Sequence, residues 1–210
     1  MAQEMVQETA HQSNSLPPNP EMATLEARNK FAGFWFFLGG ETVLFASLIG
    51  TYLGLKGGTG SGPGPSDLFS LPLVFLMTLI LLTSSLTSVL AIINMKRGNY
   101  RKLIMFLSLT VLLGLSFLSL EIYEFVEYVN HGLGFTTSAF ASAFYMLVGT
   151  HGAHVIFGLG WMTGLIIRYR NTGLTLMNAP KFNTVVLYWH FIDVVWVFIF
   201  SIVYLMGIGG

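Results

Sequence analysis

Five long apolar stretches dominate this chain and restrict the folds it can adopt. They lie at about 31–55, 71–95, 103–129, 138–167 and 183–208. Each is longer than the roughly 20 residues that an α-helix needs to cross the hydrocarbon core of a bilayer. Because that core holds no water to satisfy backbone polar groups, a helix is the default spanning structure. The sequence therefore predicts an all-α integral membrane bundle of five transmembrane helices.

Composition agrees with a membrane protein and excludes several kinds of chemistry. Hydrophobic residues make up 53% of the chain and charged residues 10%, whereas soluble domains carry about 25% charged residues. The absence of cysteine excludes disulfides, thiolate metal sites and a cysteine nucleophile. A formal net charge of zero argues against a nucleic-acid partner. Residues 1–30 are polar and rich in proline, which predicts a flexible tail with a short turn near 22–27.

The basic residues lie almost entirely in segments on one side of the predicted membrane. Arg28 and Lys30 precede the first stretch, and the other groups lie in 96–102 and 168–182. Of the ten basic residues, only Lys56 falls on the opposite side. By the positive-inside rule, the N-terminal tail is predicted to be cytoplasmic and the C-terminus outside. No internal repeat is visible, which disfavours a transporter.

Small and hydroxylated residues suggest where the helices touch. Gly50 with Gly54, and Gly160 with Gly164, match the small-xxx-small pattern of close helix packing. A cluster of serine and threonine residues at 83–88 is expected to hydrogen-bond to its own backbone or to a neighbouring helix.

Acidic residues within the apolar stretches need an explanation. Glu41 lies about 15 Å into the first span at 1.5 Å per residue. Surroundings of low polarity disfavour its anion, so it either relays protons or hydrogen-bonds a neighbour as a neutral acid. Glu121 lies deep in the third span and needs a partner. Glu124 and Glu127 are predicted to lie at the interface and to be solvated.

Histidines and one aspartate form the other polar positions in the spans. His151 and His154 are three residues apart, which predicts that both rings lie on one helix face. His190 and Asp193 have the same spacing, and Asp193 is expected to fix the tautomer of His190. The alternative is that this pair reaches Glu41 or His154 across the bundle.

No complete ligand set accompanies these residues, although helical histidines do bind haem iron or zinc. A haem-binding membrane cytochrome and a proton-coupled transporter that uses Glu41 therefore stay open as alternatives. The favoured prediction is a buried polar network with no metal site and no catalytic residue. Its predicted members are Glu41, Glu121, His151, His154, His190 and Asp193.

Several motifs occur in the order found in one known family. They are Gly-Gly-Glu-Thr-Val-Leu-Phe at 39–45, Leu-Glu-Ile-Tyr-Glu-Phe at 120–125, Gly-Thr-His-Gly-Ala-His-Val at 149–155, Tyr-Trp-His-Phe-Ile-Asp-Val-Val-Trp at 188–196 and Val-Tyr-Leu-Met-Gly at 203–207. Over residues 25–208 the chain resembles subunit III of the haem–copper oxidases. It is most similar to the short bacterial form of caa3-type cytochrome c oxidases. Bacterial quinol oxidases share most of these motifs.

This resemblance implies a non-redox subunit of a proton-pumping respiratory oxidase that reduces dioxygen to water in the bacterial plasma membrane. Haem and copper are expected in subunits I and II, and none in this chain. The chain is expected to pack on subunit I, beside subunit II and a small subunit IV, and to support proton uptake and sustained turnover. Cytochrome c or a quinol would act on other subunits, so a menaquinol oxidase is the alternative.

The family also suggests what the polar residues do. Glu41 matches the family's buried carboxyl that reacts with carbodiimide, and the other members of the predicted network match polar residues between helices. No catalytic role is implied for any of them. Longer family members have two further spans that help to form a lipid-filled cleft, so phospholipid binding at this chain's surface is an expectation from the family alone.

Overall fold

The structure, a computed structural model, describes residue 17 and residues 19–60 and 70–208. The long elements in this part of the chain are five helices, and it contains no strand. They are α1 (Leu25–Leu55), α2 (Leu71–Lys96), α3 (Tyr100–Asn130), α4 (Ala139–Tyr169) and α5 (Ala179–Ile199). All five are long and apolar enough to cross a membrane. The predicted all-α bundle of five membrane-spanning helices is confirmed.

The helices extend beyond the apolar stretches that predicted them. α1 begins at Leu25, inside the predicted polar tail. The hydroxyl of Thr24 caps this end by accepting a hydrogen bond from the backbone N–H of Ala27 at 3.1 Å. A short 3₁₀ turn, Pro20–Met22, precedes it, and residues 1–16 of the predicted tail lie outside the described residues. Hydropathy detects only the apolar part of a helix. A capped polar turn at its end makes the helix longer than the apolar stretch.

Four helices close into a ring, and the fifth lies outside it. α2 packs on α3, α3 on α4, α4 on α5, and α5 on α2. α1 contacts α4 and α5 from outside the ring. In the most apolar window of each span, 11% of α1 is buried, compared with 50% of α4 and α5. Side chains that reach α1 from the ring therefore matter for holding it in place.

An ion pair ties the segment before α1 to the ring. Oε1 of Glu21 lies 3.0 Å from Nζ of Lys96, and the Glu21 side chain is 5% exposed. The same Nζ donates a hydrogen bond to Oδ1 of Asn19 at 3.4 Å. Lys96 is the last residue of α2, so these contacts fix the start of α1 against the C-terminal end of α2.

Two tryptophans of α5 fill the core of the ring and fit against glycines. Trp189 and Trp196 are both almost completely buried. A Cβ atom added to Gly114 of α3 would lie 2.7 Å from the Trp189 ring, and one added to Gly158 of α4 would lie 3.2 Å from it. Trp196 meets Phe117 edge to face, with ring centroids 4.7 Å apart. The missing side chains at the two glycines allow α3 and α4 to approach this indole closely.

The small-xxx-small patterns do not mark contacts within the described part of this chain. A Cβ atom added to Gly50, Gly54, Gly160 or Gly164 would meet no other atom within 4 Å. The prediction that these patterns mark helix contacts is therefore wrong inside the bundle. The glycines of the core lie opposite large aromatic side chains, and a local spacing rule does not detect such partners.

Candidate functional site

Glu41 and His154 join the outer helix to the ring. Oε2 of Glu41 in α1 lies 3.0 Å from Nε2 of His154 in α4, and the two side chains are 18% and 19% exposed. Nδ1 of His154 lies 2.8 Å from the carbonyl oxygen of Thr150. A carbonyl oxygen only accepts hydrogen bonds, so Nδ1 carries a proton. The remaining contact then holds one proton between Glu41 and Nε2, as a neutral acid–imidazole pair or as carboxylate and imidazolium.

Aromatic side chains surround this pair. The rings of Phe45 and His154 have centroids 5.0 Å apart, and the hydroxyl of Tyr188 donates to the backbone carbonyl of His154 at 3.3 Å. A cleft of about 330 Å³ beside the pair is lined by Phe37, Ala153, His154, Phe157 and Tyr188. The pair is therefore partly accessible from an apolar surface of the chain.

His190 forms hydrogen bonds with α2 and not with its predicted partners, which were Asp193, Glu41 and His154. Its Nδ1 lies 2.7 Å from Oγ of Ser85, and its Nε2 lies 3.3 Å from Oγ of Ser88. The carboxyl oxygens of Asp193 are buried and have no hydrogen-bond partner among the described residues. The expectation that Asp193 holds the tautomer of His190 is wrong, because hydroxyls of the facing helix occupy both ring nitrogens.

The hydroxyl cluster of α2 makes both kinds of contact that were predicted for it. Ser84 donates to the backbone carbonyl of Leu81 at 2.6 Å and accepts from the indole N–H of Trp189 at 3.0 Å. Six residues earlier, Thr78 accepts from the indole N–H of Trp196 at 3.0 Å. Hydroxyls on α2 therefore satisfy the two buried tryptophans, besides His190.

His151 and His154 face different neighbours, although they are three residues apart. The His151 ring is fully buried and lies 5.1 Å from the Trp196 ring and 5.9 Å from the Phe117 ring, centroid to centroid. Its two nitrogens have no hydrogen-bond partner within the described ranges. Three residues of helix rotate a side chain by about 60° from alignment. Since α4 contacts α1 on one side and the other helices of the ring on the other, that rotation is enough to separate the two histidines.

The acids of α3 also differ from the prediction. Glu124 is 2% exposed and accepts hydrogen bonds from the hydroxyls of Tyr128 at 2.5 Å and Tyr204 at 3.1 Å. The prediction that it is solvated is therefore wrong. Glu127 is 46% exposed and lies 3.6 Å from Nδ1 of His131, as an interfacial residue would. The position of Tyr128, one helical turn after Glu124, was the available signal for a buried pair.

Tyr204 reaches Glu124 from an irregular turn that the sequence did not predict. α5 continues through a π-helical turn, Phe200–Leu205, into a last turn, Met206–Ile208. Such turns shift the angular register of the side chains that follow, and they are frequent at functional sites. The predicted network is thus several separate contacts between different helices. In the described part of the chain, no group of three or more potential ligands is placed to hold a metal ion.

Comparison with known proteins decides the family. The family described as cytochrome c oxidase subunit III matches residues 28–208. The chain belongs to the cytochrome c oxidase subunit III family. The resemblance seen in the motifs is therefore confirmed over nearly the whole chain.

Individual relatives agree with this membership. Cytochrome c oxidase subunit 3 of Alkalihalophilus pseudofirmus is 64% identical over 199 residues, which cover 94% of this chain and 97% of the relative. The protein of the same name from Bacillus sp. (strain PS3) is 62% identical and has similar coverage, 94% and 96%. Quinol oxidase subunit 3 of Bacillus subtilis is 46% identical over 203 residues, covering 97% of this chain and 99% of that protein.

Family membership fixes the setting of the contacts described above. The chain is subunit III of a terminal oxidase, which is an oxidoreductase complex, and it associates with other oxidase subunits. Family membership and the five apolar helices together identify the chain as a multi-pass protein of the bacterial plasma membrane. The uncovered faces of subunit III therefore meet lipid or partner subunits rather than water.

Proposed function

We propose that the chain is the cofactor-free subunit III of a proton-pumping caa3-type cytochrome c oxidase. The observation that carries this choice is the identity of 64% and 62% to relatives named cytochrome c oxidase subunit 3, against 46% to the one named quinol oxidase subunit 3. Haem and copper belong to subunits I and II in this proposal. The chain packs directly on subunit I, beside subunit II and a small subunit IV.

Oxygen uptake by the complex purified through this chain tests the choice of electron donor. Reduced cytochrome c is expected to sustain uptake, whereas menaquinol is not. Uptake with menaquinol and none with cytochrome c would assign the chain to a quinol oxidase.

In this proposal the polar residues form contacts between helices, here called ties, which keep the helices of the subunit in one arrangement. Glu41 and His154 hold α1 to α4, while His190 and Ser85 hold α5 to α2. Interhelical polar contacts in membranes contribute about 0.6 kcal/mol each on average. Several such ties in one subunit give subunit I a stable neighbour during proton uptake and repeated turnover.

Glu41 is expected to react with a hydrophobic carbodiimide in the intact complex. Its side chain is 18% exposed beside an apolar cleft, whereas Glu121 is 1% exposed and serves as an internal control. Mass spectrometry of peptides from the treated subunit should find the adduct on Glu41 alone. Glu41→Gln should abolish it, and an adduct on Glu121 with Glu41 unmodified would contradict the assignment.

Glu41→Ala distinguishes a proton-related role from a packing role. We expect the oxidase to assemble largely intact, because only one tie between α1 and α4 is removed and Phe45 still packs on His154. The complex should then lose activity after fewer turnovers. Failure of the whole complex to assemble would show that the contact between Glu41 and His154 is required for packing and would exclude a role confined to turnover.

The proposed topology places the N-terminus in the cytoplasm and the C-terminus outside. It is supported by the distribution of the ten basic residues. Because the natural chain contains no cysteine, single substitutions give an unambiguous accessibility assay. Thr136→Cys is expected to react with an impermeant maleimide in whole cells, whereas Asn171→Cys should react only after permeabilisation. The reverse pattern would invert the proposed topology.

Phospholipid binding at the surface of the chain is part of the proposal. A cleft of about 380 Å³ between α1, α4 and α5 combines cationic and aromatic side chains, among them Lys30, Lys181, Phe34 and Trp161. Lysines attract phosphate groups, and aromatic side chains favour the membrane interface. Native mass spectrometry of the purified complex would detect retained phospholipid.

A further inference from the structure

Glu121 and Glu124 form a second buried acidic site, away from the Glu41–His154 pair. The two carboxyls belong to successive turns of α3, and their residues are 1% and 2% exposed. Residues three apart on a helix have Cβ atoms about 5–6 Å apart. In the described part of the chain, no lysine, arginine or histidine nitrogen forms an ion pair with either of them. Two anions at this separation, buried and without a cation, would repel each other strongly.

Hydrogen bonding distinguishes the two carboxyls. Glu124 receives two donors, the hydroxyls of Tyr128 and Tyr204, one on each oxygen. Hydrogen bonds donated to a carboxylate favour its charged form. Both oxygens of Glu121 are buried and receive no hydrogen bond from any described residue. The environment therefore opposes a charge on Glu121 more than on Glu124.

The surroundings of Glu121 leave little space for other partners. A Cβ atom added to Gly152 of α4 would lie 2.9 Å from Oε1 and 3.1 Å from Oε2 of Glu121. The carboxyl is therefore pressed against the backbone of α4. The adjacent His151 directs its ring toward Phe117 and Trp196, and its nitrogens make no hydrogen bond among the described residues. No described residue donates a hydrogen bond to Glu121 that would compensate for its ionisation.

We propose that Glu121 and Glu124 form a proton-binding site in which Glu121 holds the proton and Glu124 is the tyrosine-bonded carboxylate. The titratable groups that face the site are Tyr128 and Tyr204, with His151 next to the contacting glycine. Glu127, one turn nearer the end of α3, is 46% exposed. The site is separate from Glu41, which lies on α1. It does not depend on the proposed electron donor or on the role of Glu41.

Infrared spectra of the purified oxidase complex test the assignment, with Glu121→Gln and Glu124→Gln as a matched pair. The wild-type-minus-variant spectrum for Glu121→Gln should show the loss of one carbonyl band of a protonated carboxyl group at neutral pH. The spectrum for Glu124→Gln should show the loss of carboxylate bands, with the acid band retained. Loss of carboxylate bands in Glu121→Gln, or loss of the acid band in Glu124→Gln, would overturn the proposal.

A milder variant covers the case in which Glu121→Gln prevents assembly. Gly152→Ala keeps both acids and places a methyl group against the Glu121 carboxyl. It should shift the frequency of the acid carbonyl band and leave the carboxylate bands of Glu124 unchanged. A shift confined to carboxylate bands would show that Glu121 is ionised and would overturn the proposal. Gly160→Ala, where an added Cβ meets no described atom within 4 Å, should change neither set of bands.

Discussion

Trp189→Ala is expected to be among the most destabilising single substitutions in the chain, with a loss of about 3–5 kcal/mol in the free energy of unfolding. The indole is fully buried and fits against Gly114 and Gly158. It also donates a hydrogen bond to Ser84. Removing it leaves a cavity where α2, α3, α4 and α5 meet. Titration of the subunit in mixed micelles with a denaturing detergent measures the loss.

Two variants separate the causes of that effect. Trp189→Phe keeps most of the packing but removes the N–H donor, so it should lose much less, because a polar contact in a membrane is worth about 0.6 kcal/mol on average. Trp35→Ala removes a tryptophan that is 54% exposed on α1 and should leave the unfolding free energy nearly unchanged. Equal losses of unfolding free energy for Trp35→Ala and Trp189→Ala would show that burial of Trp189 in the described core does not stabilise the fold.

Gly114→Ala is expected to have the second largest effect, by overfilling the same core. The added Cβ would lie 2.7 Å from Cδ2 of Leu159 and 2.7 Å from Cη2 of Trp189, closer than carbon atoms approach without displacement. Overpacking of this kind costs about 1–3 kcal/mol, partly offset by the gain in helix propensity of roughly 0.5–1 kcal/mol when alanine replaces glycine.

Gly160→Ala is the matched control, since it makes the same chemical change on α4 where the added Cβ has open space in the chain. The same detergent titration should find it neutral or slightly stabilised. A greater loss at Gly160 than at Gly114 would contradict the described packing.

The number and position of the helices were predictable, because each apolar stretch must span the bilayer as a helix. The ends of the helices were less predictable, since capping by residues such as Thr24 extends helices into polar sequence. The burial of Glu121, His151 and Asp193 was predictable for the same reason as the helices. An ionisable residue in an apolar stretch has to contact protein rather than lipid, and Glu41 contacts His154.

The pairing of those residues was not predictable. His190 bonds to Ser85 and Ser88 instead of Asp193, because contacts between helices depend on which faces meet. Glu124 was assigned to the solvent, since it lies only one turn from the exposed Glu127. Glu124 is hydrogen-bonded by Tyr204, which is eighty residues away in sequence and belongs to a π-helical turn. No local sequence pattern predicts that turn. Distance in sequence and irregular helix geometry therefore limited the prediction of the site.

We propose that subunit III supports the oxidase through its packing and buried polar contacts and holds no redox centre. This role is tested by dissociating the subunit from the purified oxidase and then measuring haem and copper in both fractions. We expect all haem and copper to stay with the remaining subunits, which should still reduce dioxygen at first but lose activity after fewer turnovers. Haem or copper recovered in stoichiometric amount with the separated subunit III would show that this chain holds a redox centre.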